Sequence, residues 1–144
     1  MAHDPPTAVW MFVASRHVEQ RILEHLRDSG FGDLTLAQGR IAARIGEDGT
    51  RLTDLAAAAQ VTKQTAGFLV DQLERAGYVE RRPDPSDARA RLVVIAERGQ
   101  EAQAAAREVE RIVEAEWEAH LGAERMAALR ASLLDLRELV DPWA

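Results

Sequence analysis

The chain of 144 residues contains no cysteine, which excludes disulfides, thiolate metal ligands and cysteine nucleophiles. It also lacks any run of about 18 apolar residues, and no basic N-terminal segment precedes an apolar one. These absences predict that the chain neither crosses a membrane nor carries a secretion signal, and that it works in the cytoplasm. A chain of this length can bury a sizeable core unaided, so we expect residues 1–144 to form one domain.

Positive charge is scarce and unevenly placed. There are 18 basic and 24 acidic side chains, a net charge of −6, and Lys63 is the only lysine. Residues 1–49 carry a net −2 and residues 100–144 a net −5, whereas residues 50–99 carry +1. Charge alone does not separate this distribution from chance. Binding to phosphates depends on where the cations lie, so the acidic total does not exclude a nucleic-acid partner.

Apolar residues recur at spacings of three and four over most of the chain, which is the period of an amphipathic helix. Two segments instead have the alternating, β-branched character of strands, and the prolines and aspartates between them favour a turn over 83–87. The expected fold is mainly α with a small β-hairpin wing. Helices are predicted over 8–29, about 35–45, 52–59, 62–76, 97–117 and 123–141, and strands over 78–82 and 89–96.

Two short helices joined by a few residues are the layout of a helix-turn-helix, although Gln60 stands in the turn where glycine is common. Thr62 is a good N-cap, which would direct unpaired backbone N–H groups toward a phosphate. Lys63 adds a positive charge there. Gln64 can form hydrogen bonds with adenine, and Thr65 can contact a thymine methyl group. An ordinary capped helix start is the alternative interpretation of these residues.

The middle of the second helix contains Gly67 and Phe68. Glycine inside a helix costs about 1 kcal/mol relative to alanine, so Gly67 predicts that something approaches the backbone closely there. Phe68 is predicted to point outward and is included among the candidate DNA contacts.

Arginines flank the turn of the predicted hairpin. A basic wing of this kind can enter the minor groove, where a narrow width strengthens the negative potential. Ion pairs with Asp84 and Asp87 are the competing explanation, and we expect at least one arginine to be used in this way, with an Asp87–Arg89 bond able to hold the wing in shape. The four candidate wing contacts are Arg81, Arg82, Arg89 and Arg91.

The segments 55–65, 69–91 and 97–99 together resemble the MarR family of bacterial winged-helix regulators. The run LVDQLERAGYVERRPDPSDARA at 69–90 carries most of the resemblance, because it spans helix, strand and wing in the family's order. Ala88 departs from the arginine often found at its position, and Ala96 or Glu97 from a threonine. These departures affect wing contacts and not the fold.

The resemblance implies a transcriptional regulator, most often a repressor, that binds a palindromic operator as an obligate homodimer. Its winged helix-turn-helix would occupy 35–96, and helices over 8–29 and 97–141 would form the dimer. Amphipathic helices outside the DNA-reading region independently require a partner surface, with intrachain core as the alternative. Candidates for this surface are Trp10, Trp117, Leu121, Leu129, Leu133, Leu136, Val140 and Trp143.

The resemblance also implies a possible effector, a small aromatic or anionic molecule that releases DNA by binding between the dimer helices and the winged helix. Each candidate residue has a plain alternative as a solvated or core side chain. The candidate ligand contacts are Trp10, Arg16, His17 and Arg40, with Phe12 and Phe31 nearby in the predicted layout.

Catalysis and metal binding are not indicated. No Ser–His–Asp arrangement, phosphate-binding glycine loop or paired buried carboxylates can be identified, so the chain is not expected to be an enzyme. The histidines are scattered, and neither a metal nor a cofactor is expected. Two functions remain: a regulator that binds double-stranded DNA, and a winged-helix module for protein–protein contacts without specific DNA binding.

Overall fold

The computed structural model describes residues 3–141, which form six helices and a three-stranded antiparallel sheet. The helix end predicted at Pro142 and the candidate interface residue Trp143 lie outside the described residues. Within residues 3–141 no helix is both long and apolar enough to cross a bilayer. The elements are α1 (Thr7–Asp28), α2 (Leu36–Ala42), β1 (Thr50–Arg51), α3 (Leu52–Ala59), α4 (Lys63–Arg75), β2 (Val79–Asp84), β3 (Asp87–Ile95), α5 (Glu97–Leu121) and α6 (Ala123–Val140).

The predicted fold class, mainly helical with a winged helix-turn-helix, is confirmed, but one strand was missed. β1 pairs with β3, with Thr50 opposite Val93 and Arg51 opposite Leu92, so the strand order is β1-β3-β2. Two residues are too few to show a period of two, which is why the sequence pattern did not reveal this strand.

The prediction of a turn over 83–87 is wrong, because the turn is shorter. β2 continues to Asp84 and β3 begins at Asp87, so only Pro85 and Ser86 lie between them. Pro83 is part of β2, opposite Arg91, and the pairing shifts between Pro83 and Asp84. Proline is tolerated here because β2 is an edge strand, where a missing N–H breaks no inner ladder.

The core joins the helix-turn-helix to the sheet and to the two long helices. Leu55 of α3, Val70 and Leu73 of α4 and Val93 of β3 are almost fully buried together. Gly99, in the first turn of α5, lies so close to Tyr78, the residue before β2, that an added Cβ would clash with the carbonyl oxygen of Tyr78. The start of α5 is therefore held directly against the strand that begins the wing.

Gly67 has no such contact within the chain. A Cβ at this position would meet only the Cδ2 atom of Leu52, at an ordinary distance of 3.7 Å. The close approach predicted from its sequence position is therefore not made by any part of residues 3–141.

The long outer helices bury only part of their apolar surface. α1 packs along α5, with an ion pair from Arg21 to Glu116 and with His25 Nε2 3.9 Å from a carboxylate oxygen of Glu108. No residue of α6 is buried. The exposed large apolar residues of these helices are Val9, Trp10, Met11, Phe12, Val13, Ile112, Leu129, Leu133, Leu134, Leu136, Leu139 and Val140.

Candidate nucleic-acid interface

The turn between α3 and α4 is fixed by backbone bonds and a side-chain cap. Gln60 adopts the left-handed conformation (φ 57°, ψ 42°), a conformation that favours glycine. The N–H of Val61 donates to the carbonyl of Ala56 at 3.0 Å. The predicted N-cap is confirmed, because Thr62 Oγ1 accepts the N–H of Thr65 at 3.1 Å. These bonds set the direction in which α4 leaves the turn.

α4 presents one polar face to the outside and buries the other. Ala66, Leu69, Val70 and Leu73 are buried against the core. The side chains of α4 and its N-cap that are predicted to contact DNA are all exposed, and Phe68 is 60% exposed. The structure thus brings together Thr62, Lys63, Gln64, Thr65 and Phe68.

The position of α4 is also set by α2, through a residue that the sequence did not indicate. Thr35 and Gln38 form a reciprocal capping box at the start of α2, with both bonds at 3.2 Å. Gln38 is buried, and its Nε2 donates to Gln72 Oε1 of α4 at 3.0 Å. A buried amide pair of this kind needs its partner, since an unpaired polar group in the core costs stability. Capping-box spacing was the one available signal.

Arg81 differs from the other wing arginines because it is held inward. Its guanidinium donates to Glu74 at 2.9 Å and to Asp71 at 2.8 Å, and only 18% of the side chain is exposed. Glu74 also accepts the backbone N–H of Arg81, at 3.1 Å. Arg81 therefore ties the base of the wing to α4. Arg82 remains exposed and donates to Glu80 at 3.0 Å.

Arg89 and Arg91 extend along β3 as exposed cations. Within the described part of the chain, their side chains have no hydrogen bond or ion pair. Alternation along the strand places both on one face of the hairpin. The expected Asp87–Arg89 bond is present only through the backbone, where the N–H of Arg89 donates to Asp87 Oδ1 at 3.0 Å. The side chain of Arg89 stays available for a partner.

Asp84 anchors the wing through an arginine from the strand that the sequence pattern did not reveal. Arg51 of β1 donates to its carboxylate at 2.7–2.8 Å, and Ser86 donates through both its N–H and its hydroxyl, at 2.9 and 2.7 Å. These bonds, first the Ser86 N–H, lower the pKa of Asp84 to about 2. The prediction that a wing arginine would be used by Asp84 is wrong, because β1 supplies the cation.

A second polar cluster joins the winged helix to the long helices. Tyr78 donates its hydroxyl to Asp33, and burial followed by this bond raises the pKa of Tyr78 to about 12. Arg98 of α5 lies 3.1 Å from Asp33 and 4.3 Å from the centre of the Tyr78 ring. It also donates to the carbonyl of Ala76 at 2.6 Å. The loop after α1, the turn after α4 and the start of α5 are thus fixed to one another.

A cavity of about 530 Å³ lies between α1, α2 and α5, with Tyr78 in its wall. Of the four predicted ligand contacts, Arg40 lines it, whereas Trp10, Arg16 and His17 do not and are exposed on α1. Phe12 and Phe31 also lie outside its lining. A ligand held here would therefore touch only Arg40 of the predicted set.

Two of the four charged side chains at the cavity wall, Arg40 and Glu19, are paired with each other, and the other two are Arg107 and Glu110. Arg40 donates to both carboxylate oxygens of Glu19, at 2.7 and 2.9 Å. This bond from Arg40 lowers the pKa of Glu19. The remaining lining is largely apolar, with side chains such as Ile22, Leu26 and Leu73.

An N-capped exposed helix beside a two-stranded wing, set on long outer helices, defines the class of winged helix-turn-helix proteins. Residues 32–90 match the family model described as the MarR family. The chain is 31% identical to the transcriptional regulator Tm0710 from Thermotoga maritima over 93% of both chains, with a TM-score of 0.62. The chain belongs to the MarR family.

Other solved structures share the fold. A MarR crystal structure is 26% identical to this chain, with an alignment that covers 96% of this chain and 92% of the MarR chain and a TM-score of 0.78. MepR from S. aureus, solved in complex with DNA, is 21% identical over 95% of this chain and 100% of its own, with a TM-score of 0.71. None of the curated proteins matches the chain.

The wing anchor predicts a pH dependence of stability. Because the folded pKa of Asp84, about 2, lies below the ordinary value of about 4, its stabilisation is complete above pH 4 and is lost as the pH falls toward 2. Asp84→Asn should therefore have a lower free energy of unfolding than the parent, and the difference should narrow over that range in urea titrations. Ser86→Ala keeps the Asp84 carboxylate but removes the hydroxyl that donates to it, which should raise the folded pKa of Asp84. In a Ser86→Ala background, the loss of unfolding free energy caused by Asp84→Asn should therefore narrow at a higher pH. If the difference in unfolding free energy between the parent and Asp84→Asn does not change with pH, Asp84 does not anchor the wing as a carboxylate.

Proposed function

We propose that the protein is a sequence-specific DNA-binding regulator that occupies a palindromic operator as a homodimer and represses transcription. The observation that carries the proposal is the exposed start of α4 together with the exposed cations Arg89 and Arg91 of the wing. The helix would enter the major groove, while the wing reaches the adjacent backbone or minor groove. A winged-helix module restricted to protein contacts would not require basic side chains at both places. The DNA complex of S. aureus MepR supports the proposal by its common fold.

The placement of charge supports this orientation. Residues 100–144, which form most of α5 and α6, carry a net −5. A negative body behind a basic edge would disfavour docking of the wrong face onto phosphates. Lys63, at the N-terminus of α4, is positioned to bind a phosphate together with the unpaired N–H groups there.

Substitutions of adjacent residues should separate phosphate contact from base contact. Lys63→Ala should weaken binding to all duplexes and reduce the salt slope by about one per subunit. Gln64→Ala should cost about 1–3 kcal/mol at the preferred site and relax its base preference, with an unchanged salt slope. Fluorescence anisotropy over a range of salt concentrations measures both.

Arg130→Ala removes the same charge as Lys63→Ala from a residue that pairs with Glu114 on the outer helices. This control should leave DNA affinity nearly unchanged. If both α4 variants bind as the parent does, α4 is not the recognition helix.

The dimer is proposed from the apolar surface of α6 and of the first half of α1. Leu129, Leu133, Leu136 and Val140 recur along one side of α6, and all are more than a third exposed. Burial of a leucine contributes about 1.5–3 kcal/mol, so a stripe of this kind is stabilised strongly by a partner surface. A second copy of the chain presents the same stripe, as a twofold interface requires.

A charge placed in this stripe should dissociate the dimer. Leu133→Glu should shift sedimentation velocity profiles from dimer to monomer at micromolar concentration, because an unpaired carboxylate would be buried at the interface. Ala131→Glu introduces the same charge on the opposite side of α6 and should remain dimeric. A dimer that persists in Leu133→Glu would show that the stripe serves another purpose.

We also propose that the cavity beside Arg40 binds a small aromatic effector that releases DNA. Its volume of about 530 Å³ lies within the usual range for ligand sites. Its wall includes Tyr78, which is bonded to Asp33 and stacked under Arg98, so an occupant would contact the cluster that fixes the winged helix to α5. An anionic ligand would have to compete with Glu19 for Arg40, and a neutral aromatic would not.

Filling the cavity should weaken the response to effector without removing DNA binding. Ala106 lines the cavity, and Ala106→Trp should raise the concentration of benzamide or naphthamide needed for DNA release by about tenfold, a loss of about 1.4 kcal/mol of binding. Ala104, outside this cavity on the same helix, provides Ala104→Trp as the control. Glu19→Gln should increase the response to benzoate because it leaves Arg40 unpaired. Equal responses in all variants would place the effector elsewhere.

A further inference from the structure

Phe68 is the one large apolar side chain on the exposed face of α4, and it has no role in holding the fold together. It is 60% exposed, whereas the other large apolar residues of α4, Leu69, Val70 and Leu73, are buried. A single exposed aromatic residue is ordinary on a protein surface, so its exposure alone decides nothing. The position of Phe68 is more informative, because Gln64 precedes it by one helical turn on the same face.

The surroundings of Phe68 restrict what it can contact. Lys63 lies at the start of the same helix, and Arg89 and Arg91 lie on the neighbouring wing. An exposed apolar ring on a helix that begins with a lysine, beside a wing that carries exposed arginines, fits a partner that is negatively charged at its edges and apolar at a defined point within them. The major groove of DNA has this character, since phosphates border it and the 5-methyl group of thymine is its apolar feature.

We propose that Phe68 reads the 5-methyl group of a thymine in the major groove, so that each half-site presents A·T pairs to the segment from Gln64 to Phe68. The inference rests on the proposed DNA binding and adds the class of sequence that is bound. Guanine is most often read by arginine or lysine, and residues 64–68 include neither. Arg75, farther along α4, donates to the backbone carbonyl of Asp71 at 3.3 Å.

The spacing along the helix gives a register for this reading. Gln64 and Phe68 are four residues apart, which is about 6 Å along the helix axis. Base pairs are stacked about 3.4 Å apart, so the two side chains would face pairs no more than about two steps apart. Gln64 suits adenine and Phe68 suits thymine, and together they define an A·T-rich stretch.

Gly67 now has a structural purpose. An added Cβ would be in ordinary contact with Leu52, at 3.7 Å, so packing within residues 3–141 does not require glycine at this position. Without a side chain next to Phe68, the backbone of α4 can lie nearer to the edge of a base pair. The closer fit to the partner would offset the loss of helix stability caused by a central glycine, about 1 kcal/mol.

The test removes single methyl groups from the DNA. The preferred duplex is first selected from random sequences with the full-length protein, and each thymine is then replaced singly by deoxyuridine, which differs only by the methyl group. For the wild-type protein, a single replacement at the contacted thymine of either half-site should weaken binding about fourfold, the contribution of one buried methyl group. Replacing both symmetric thymines should weaken binding about 15-fold.

The Phe68→Ala variant should bind the thymine and deoxyuridine duplexes equally, because the group that senses the methyl is gone. Gln64→Ala is the matched control, and it should retain the discrimination at that thymine while losing affinity overall. Since Phe68 is exposed, thermal unfolding of Phe68→Ala should match that of the wild type, which distinguishes a missing DNA interaction from an unfolded protein.

Two results would overturn the inference, and they are distinguishable. If selection yields a preferred duplex but no thymine shows the discrimination, or Phe68→Ala retains it, Phe68 does not read a methyl group and the proposed function stands. If the wild-type protein selects no sequence, the proposed function fails and the inference fails with it.

Discussion

The interaction on which the rest of the structure depends is the junction at Tyr78. A buried phenol hydroxyl must have a partner, and Asp33 accepts the hydrogen bond from Tyr78 while Arg98 covers the ring. The carbonyl of the same residue lies where only Gly99 of α5 leaves space. The winged helix is therefore fixed to the long helices both by the hydrogen bonds of this polar cluster and by the close contact at Gly99. A dimer made by those helices would set the separation of its two α4 helices through this junction.

The helix-turn-helix could be predicted from the sequence because its signals are local. Thr62 caps α4 through Thr65, three residues away, and the alternation of buried and exposed positions follows one helical period. β1 could not be predicted in this way. Thr50 and Arg51 acquire strand structure only by pairing with β3, more than forty residues later, and a two-residue segment has no period of its own.

The candidate ligand contacts also depend on tertiary packing, which local sequence signals do not reveal. Arg40 lines the cavity, whereas Trp10, Arg16 and His17 do not, since helical spacing indicates which side of α1 is apolar and not where a void remains. A cavity depends on how α1, α2 and α5 are packed together, and no residue type marks the gap between them. The pairing of Arg40 with Glu19 is also a tertiary fact, because 21 residues separate them in the chain.

The acidic residues that pair with arginines at the wing determine which wing arginines stay available. Counting arginines in residues 81–91 suggests four equivalent cations, but Arg81 is held by Asp71 and Glu74 of α4, and Asp84 takes Arg51 from β1. Each of these pairs fixes one end of the hairpin: the first its base, the second its turn. Because Asp84 is satisfied from outside the hairpin, Arg89 and Arg91 keep exposed side chains on a wing that is already rigid. Binding by such a wing would require little further ordering, which preserves more of the interaction energy for affinity.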